Sequence, residues 1–314
     1  MLPTLRQLQY LKLLAQHGSF SRAAEAAHVT QPTLSAGVQE LEKILGAPVV
    51  DRARSGVILT PVGEEALRRG SEILAQAEDL LQAARSAGQP LTGRFRLGVI
   101  PTVAPFLLPK VLHAVRARYP NLKLFLREDR TQALIAALKT GALDAAIIAL
   151  PYDTAGLETA SIGEDELLAA LPANHALVGA GPLGDDWLSG QDLILLEDGH
   201  CLRDHALGAC GLEGPKTTVG DDVFAATSLA TLVQMVGAGL GVTFLPAMAI
   251  EAGLIDQVPI STRQLSAEKA SREIVIGWRA GSSRGAEARL LAEVFSGGVR
   301  GYERRRKSAL LKYI

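Results

Sequence analysis

The chain has 314 residues, 48% of them apolar and 21% charged, with a formal net charge of −1 and 2 cysteines. That length is too great for one ordinary core, so it points to two or more domains that fold without disulfide staples. Apolar runs such as DAAIIALP fall far short of the roughly 20 residues that span a bilayer, and MLPTLRQLQYLKLL lacks the parts of a secretory signal, so the reading is a cytoplasmic protein with reduced thiols and no membrane partner.

The first 60 residues read as short helices. Leu5, Leu8, Tyr10, Leu11 and Leu14 are spaced for one apolar face, and Gly18 ends that helix. Ser19 or Ser21 can cap the alanine-rich SRAAEAA, with Phe20, Ala23, Ala24 and Ala27 facing a small core. In HVTQPTLSAGVQELEKILG, Thr30 is a good N-cap and Pro32 suits the first turn. Leu34, Val38, Leu41 and Leu45 recur at three and four, and Gly46 stops the helix. Two helices joined by so short a turn make a helix-turn-helix candidate, although alanine-rich pairs also occur where helices merely pack. Thr30, Gln31, Pro32, Thr33 and Ser35 head the second helix, where short polar side chains reach base edges and phosphates. The local charge over residues 1–60, six basic against four acidic groups, adds little.

Val49–Val50 and Val57–Leu59 flank Ser55–Gly56 and read as a hairpin, which in this place is a wing. Thr60–Pro61 then opens a long helix. Leu67, Leu74 and Leu81 recur on it every seven residues, with Gly70, Ala77 and Ala84 between them. Such a stripe wants a partner helix, which predicts dimerisation; packing on its own domain is the alternative. SAGQPLTG, Ser86 to Gly93, reads as a hinge. From Arg94 strands and helices alternate: RFRLGVI, FLLPKVLHAVRARYP, KLFLRE, TQALIAALKTG, DAAIIAL, ELLAALP, DLILLE, ATSLATLVQMVGAG, GVTFLPA, REIVIGWRA and a closing helix near Glu287–Phe295. That order predicts a parallel sheet covered on both faces, in one or two subdomains, with clefts at the carboxyl ends of its strands.

LRQLQYLKLLAQHGSFSRAAEAAHVTQPTLSAGVQELEKILGAPVVDR, followed by LTPVGEEAL, resembles the LysR-type transcriptional regulators. RLGVIPTVAPFLLP, GALDAAIIAL and VGAGLGVTFLPA extend the resemblance beyond the hinge. It implies a mainly α winged helix-turn-helix over 1–60, a linker and dimerisation helix with hinge over 61–90, and a two-lobed α/β effector domain like periplasmic binding proteins over 91–300. A basic tail over 301–314 is assigned no function. The resemblance also implies promoter DNA and RNA polymerase as partners, and a homo-oligomer that dimerises through the linker helix and assembles as a tetramer. It puts Thr30, Gln31, Pro32, Thr33 and Ser35 at the DNA, with Arg52 and Arg54 in the wing.

Both cysteines lie in LEDGHCLRDHALGAC, Leu196 to Cys210. With IPTVAPFLLPK and SREIVIGWRAG, this segment resembles the peroxide-sensing members of that family. The resemblance implies a peroxidatic Cys201, a resolving Cys210, and a peroxide site lined by Thr102, His200, Asp204 and Arg272. It implies a sensor, mainly an activator, that consumes peroxide stoichiometrically, not an enzyme, and it calls for no cofactor and no metal. His205 departs from the pattern, standing where a neutral polar residue is expected; the reading here is that it is exposed and inert.

The chemistry also has a physical basis. Thiolate is the nucleophile, and Gly199–His200 looks like a turn that opens a helix at Cys201. A helix N-terminus, with Arg203 or Arg272 nearby, favours thiolate. Attack on peroxide gives a sulfenic acid, which a second thiol converts to a disulfide. If residues 201–210 are helical, nine steps of ~1.5 Å separate the cysteines by roughly 13 Å, on nearly opposite faces. A disulfide needs Cα atoms within about 7 Å, so the helix must unwind. Loop closure at this length is worth roughly 3 kcal/mol. The alternatives are buried structural thiols, a zinc site of His200, Cys201, His205 and Cys210, a thiol peroxidase, and a LysR-type regulator of a small-molecule ligand held in the cleft.

Overall fold

A computed structural model describes residues 1–53, 56–85, 90–184, 187–209, 225–266 and 270–310. Helix α1 (Leu5–His17) starts in a capping box: the Thr4 hydroxyl accepts from the Gln7 amide at 3.3 Å while the Gln7 side chain accepts from the Thr4 amide at 2.8 Å. Its Leu8, Tyr10, Leu11 and Leu14 are buried, whereas Leu5, expected on that face, is exposed. Gly18 ends the helix in the left-handed conformation.

Two further helices, α2 (Phe20–Ala26) and α3 (Gln31–Leu45), close a small core around Ala23, Ala24, Leu34, Val38 and Leu41. Leu45, expected inward, is exposed. α3 approaches α1 closely at Gly37, where a Cβ would lie 2.6 Å from the Tyr10 ring. Strands β1 (Val50–Ala53) and β2 (Gly56–Leu59) pair antiparallel as a hairpin. The 25-residue α4 (Pro61–Arg85) begins where the Thr60 hydroxyl accepts from the Gly63 amide at 3.0 Å. On α4 the heptad stripe divides. Leu67 and Leu74 pack half-buried on their own domain's core, while Ile73, Leu80 and Leu81 are exposed. Glu65 pairs with Arg68 and Arg69 on the outer face, which holds its carboxyl down to about 2.

A second compact unit begins ahead of β3 (Gly93–Val99). Then follow α5 (Ala104–Arg118), β4 (Leu122–Glu128), α6 (Thr131–Lys139), β5 (Ala145–Leu150) and the 16-residue β6 (Leu157–Pro172). The remainder is β7 (Leu195–Leu196), α7 (Cys201–Ala209), β8 (Ala225–Ala226), α8 (Leu229–Gly237), β9 (Thr243–Pro246), α9 (Ala247–Glu251), β10 (Ile260–Arg263), β11 (Ser271–Arg279) and α10 (Gly285–Leu310).

The main sheet has the order β10-β6-β11-β5-β3-β4, with β9 also on β6. It is mixed, which corrects the expected parallel sheet. β3 runs parallel to β4 and β5, but β11 lies antiparallel between β5 and β6. β6 is the common member of two lobes. Its first part pairs with β11 and its last residues pair with β9 and β10. One core gathers β3, β5, β11, α5, α6 and α10. Others gather α8, β7 and β9 around the far end of β6. Gly163, at φ 146°, admits α10: a Cβ there would lie 2.4 Å from Val299. No helix among the described residues is long and apolar enough to cross a membrane.

Overpacking a tight core contact costs about 1–3 kcal/mol. Gly37→Ala is therefore expected to lower the unfolding midpoint of the N-terminal unit in calorimetry, despite alanine's better helix propensity, while Gly46→Ala, with open space around it but a left-handed backbone, acts only through strain.

Candidate functional site

The second unit holds a buried cation. The Arg272 side chain is fully enclosed, and the Asp165 carboxylate faces it. Asp165 Oδ2 accepts from Arg272 Nε at 3.1 Å and from Nη2 at 2.8 Å. Arg272 Nη1 donates to the Thr102 hydroxyl at 2.8 Å, and Nη2 donates to the Thr102 carbonyl at 3.1 Å. Asp165 Oδ1 accepts from the Met248 amide at 2.9 Å. A buried charge needs a partner and satisfied hydrogen bonds, and this cluster supplies both from four separate segments.

Cys201 is the first residue of α7 and is 3% exposed. α7 packs against β7 and β11, the strand that carries Arg272. Gly199, at φ 89°, turns the chain into the helix, and a Cβ on it would lie 3.2 Å from Arg130. Arg130 Nη1 donates to the Asp198 carbonyl at 2.9 Å and Nη2 pairs with Glu197 at 3.2 Å. His200 is buried in this turn; burial, then the Arg130 charge, hold its imidazole below the usual range. Arg203 ties the same turn from inside the helix, donating to the Leu196 carbonyl and pairing with Asp198.

Asp204 is exposed, its carboxyl pushed up by partial desolvation. Burial, then the charges of Cys201 and Asp204, raise the Tyr152 phenol. The structure thus joins Thr102 to Arg272 directly, and it puts His200 in the turn tied by Arg130 that leads into α7 with Cys201 and Asp204. Cys210 lies outside the described residues. Among the described residues, no group of three or more His, Cys, Asp or Glu side chains comes together as a metal-ligand set.

In the first unit, Thr30, Gln31, Pro32 and Thr33 are exposed at the start of α3, and Ser35 is half-buried one turn on. The Thr30 and Thr33 hydroxyls share a 2.8 Å hydrogen bond. Arg52 falls in β1, and Arg54 lies outside the described residues.

Residues 5–64 match the family described as bacterial regulatory helix-turn-helix protein, lysR family, and residues 88–299 match the LysR substrate binding domain. The chain belongs to the LysR family. Among curated LysR-family relatives, the transcriptional regulator EstR of Acinetobacter baylyi is 44% identical over 81% of this chain and 83% of its own. A probable hydrogen peroxide-inducible genes activator of Mycobacterium avium is 39% identical over 92% of each chain. Among solved structures, a full-length OxyR variant from Pseudomonas aeruginosa superposes with a TM-score of 0.76 at 34% identity, covering 94% of this chain and 98% of that one. This LysR-family chain therefore has the winged helix-turn-helix and two-lobed effector architecture of transcriptional regulators.

Three residues of the LysR-family effector domain escaped the sequence reading. Asp165 is one; its partner lies 107 positions away, beyond any local pattern. Thr131, at the start of α6, is 1% exposed with no hydrogen-bond partner for its hydroxyl. The third is His205, and here the expectation of an exposed, inert side chain fails: it is 8% exposed. Four residues after Cys201, it lies on the same helical face, turned into the core. Its Nε2 meets the Pro151 carbonyl at 3.2 Å, so Nε2 carries the hydrogen, and Nδ1 is a buried lone pair without a partner.

Burial, opposed by the Pro151 hydrogen bond and reinforced by the Arg272 charge, pushes the His205 imidazole down to about 4. The unfolded imidazole titrates near 6.5. A lowered folded value means the neutral form stabilises the fold; that stability is complete above the unfolded value and fades as pH falls toward 4. Melting curves of the reduced protein at pH 7.5 and 5 are expected to separate more for the wild type than for His205→Gln, which cannot titrate.

Proposed function

We propose that this LysR-family regulator senses hydrogen peroxide through Cys201 and converts the signal into altered promoter binding, mainly as an activator. The observation that carries the reading is a nearly enclosed thiol at the first position of α7, packed on β11, the strand whose Arg272 holds the Thr102 hydroxyl. The names of the Mycobacterium avium relative and of the Pseudomonas structure support it.

In this reading the nucleophile is the sulfur of Cys201 at the start of α7. Thr102, His200, Asp204 and Arg272 surround the incoming peroxide. Sulfur attacks one oxygen, the O–O bond breaks, and water leaves a sulfenic acid. The Cys210 thiol then attacks that sulfur, releases a second water and closes the disulfide. α7 is helical as far as Ala209, so the pair cannot close while the helix persists. Its unwinding would uncover Cys201, Leu202, His205 and Ala206, which the helix buries, so the disulfide must offset that loss. The change is passed to an oligomer that dimerises through α4, whose Ile73, Leu80 and Leu81 are unburied in the single chain, and that assembles as a tetramer. Promoter DNA is gripped by Thr30, Gln31, Pro32, Thr33 and Ser35 with Arg52 and Arg54 of the wing, and RNA polymerase reads the outcome. The site of action is the cytoplasm.

The 44% identity to EstR, whose name mentions no peroxide, favours one other reading, a regulator answering a small-molecule ligand held between the lobes. Peptide mass spectrometry after mild peroxide separates the two. A Cys201–Cys210 bond is expected, and free thiols at both positions reject peroxide sensing. Cys201→Ser is expected to abolish the response and Cys210→Ser to weaken it; equal retention in both refutes the assigned roles. In footprinting, Thr33→Ala with Ser35→Ala should weaken promoter protection about tenfold or more, since a good base contact is worth about 1–3 kcal/mol, and leave thiol oxidation unchanged.

A further inference from the structure

Arg272 and Thr102 owe their arrangement to a carboxylate outside the thiol segment. Arginine has donors only, so each bond of the cluster has a fixed direction. Arg272 Nη1 donates to Thr102 Oγ1, which makes that oxygen an acceptor there and turns the hydroxyl hydrogen away from the guanidinium. The Thr102 carbonyl is also engaged, by Nη2. What holds the guanidinium in this pose is Asp165. One carboxylate oxygen takes Nε and Nη2, and the other takes the Met248 amide at the start of α9.

We propose that Asp165 is a positioning residue for the peroxide reaction: through Arg272 it fixes the Thr102 hydroxyl as a hydrogen-bond donor into the thiol site. The inference rests on the reading of Cys201 as the peroxide-reactive thiol. In that step the S–O bond forms as the O–O bond breaks, sulfur loses two electrons and peroxide gains them. The bonding pair leaves on the distal oxygen, which takes up the proton that the Cys201 thiol gave up and departs as water. That oxygen grows negative in the transition state, and a donor already aimed at it costs no reorganisation. A threonine hydroxyl free to rotate would point its hydrogen there only part of the time.

Asparagine distinguishes the role sharply. Asp165 serves two sets of donors, Met248 N–H on one oxygen and Arg272 on the other. An amide has one oxygen, so Asp165→Asn must set its NH2 against one of them. The test uses the full-length reduced protein, quenched at intervals after hydrogen peroxide and read by mass spectrometry of Cys201. Asp165→Asn is expected to slow oxidation at least about tenfold. Alkylation of Cys201 by iodoacetamide, which sends no charge onto an oxygen, is expected to keep its rate and pH profile within about twofold of the wild type, the scale of small indirect effects. The double variant with Thr102→Val should be no slower than Thr102→Val alone, because Asp165 acts through that hydroxyl.

Oxidation of Asp165→Asn at the wild-type rate overturns the proposal and leaves peroxide sensing intact. Equal slowing toward peroxide and iodoacetamide also overturns it, since that marks general disruption. A wild-type Cys201 no faster with peroxide than free cysteine sinks the sensing reading and this one with it. Should Asp165→Asn not fold, Thr102→Ser and Thr102→Val decide: the scheme requires serine to keep the rate and valine to lose it, and equal rates refute it.

Discussion

A fully buried guanidinium governs the effector domain. Losing water costs such a charge several kcal/mol unless a counter-ion and complete hydrogen bonding replace it. Arg272 meets that demand by drawing Asp165 from β6, Thr102 from the turn before α5 and, through Asp165, the Met248 amide at the start of α9. The demand is mutual, because Asp165 alone would be an equally costly buried charge. The cluster therefore holds strand, turn and helix in one arrangement, at the place where β6 passes from one lobe to the other.

Local signals in the sequence were sufficient for most elements. Gly18 and Gly46 end α1 and α3 in left-handed caps, as their positions suggested, and Gly199 opens α7 at Cys201. What the pattern did not hold was long-range. β6 was legible only in its apolar end, ELLAALP, because its first half alternates polar residues along β11. β11 itself reads as an ordinary apolar strand, and nothing within it shows that it runs antiparallel to β5. β10 and α9, four and five residues long, are too short to carry a period.

The misreading of His205 has the same origin. A histidine that follows Arg203 and Asp204 looks solvated until the helix is rotated against its surroundings. The decisive neighbour, the Pro151 carbonyl, is 54 positions away. On α4 the opposite error arises. A heptad stripe was legible, but two of its three leucines, Leu67 and Leu74, are spent on the helix's own domain, and of the exposed Ile73, Leu80 and Leu81 only Leu81 belongs to the repeat. Periodicity shows that a helix has an apolar face; it does not show what covers each part of that face.

The near-complete burial of Cys201 also bears on time. At 3% exposure the residue leaves little of its sulfur open to solvent, which favours a reagent of two heavy atoms over a peptide or protein thiol. In the proposed reading, forward and reverse chemistry would therefore have different gates: a small oxidant would meet the helix still packed, whereas a bulky reductant would need α7 already open. Such a site would discharge at a pace set by its own unwound state and keep a short memory of the oxidant after the oxidant is gone.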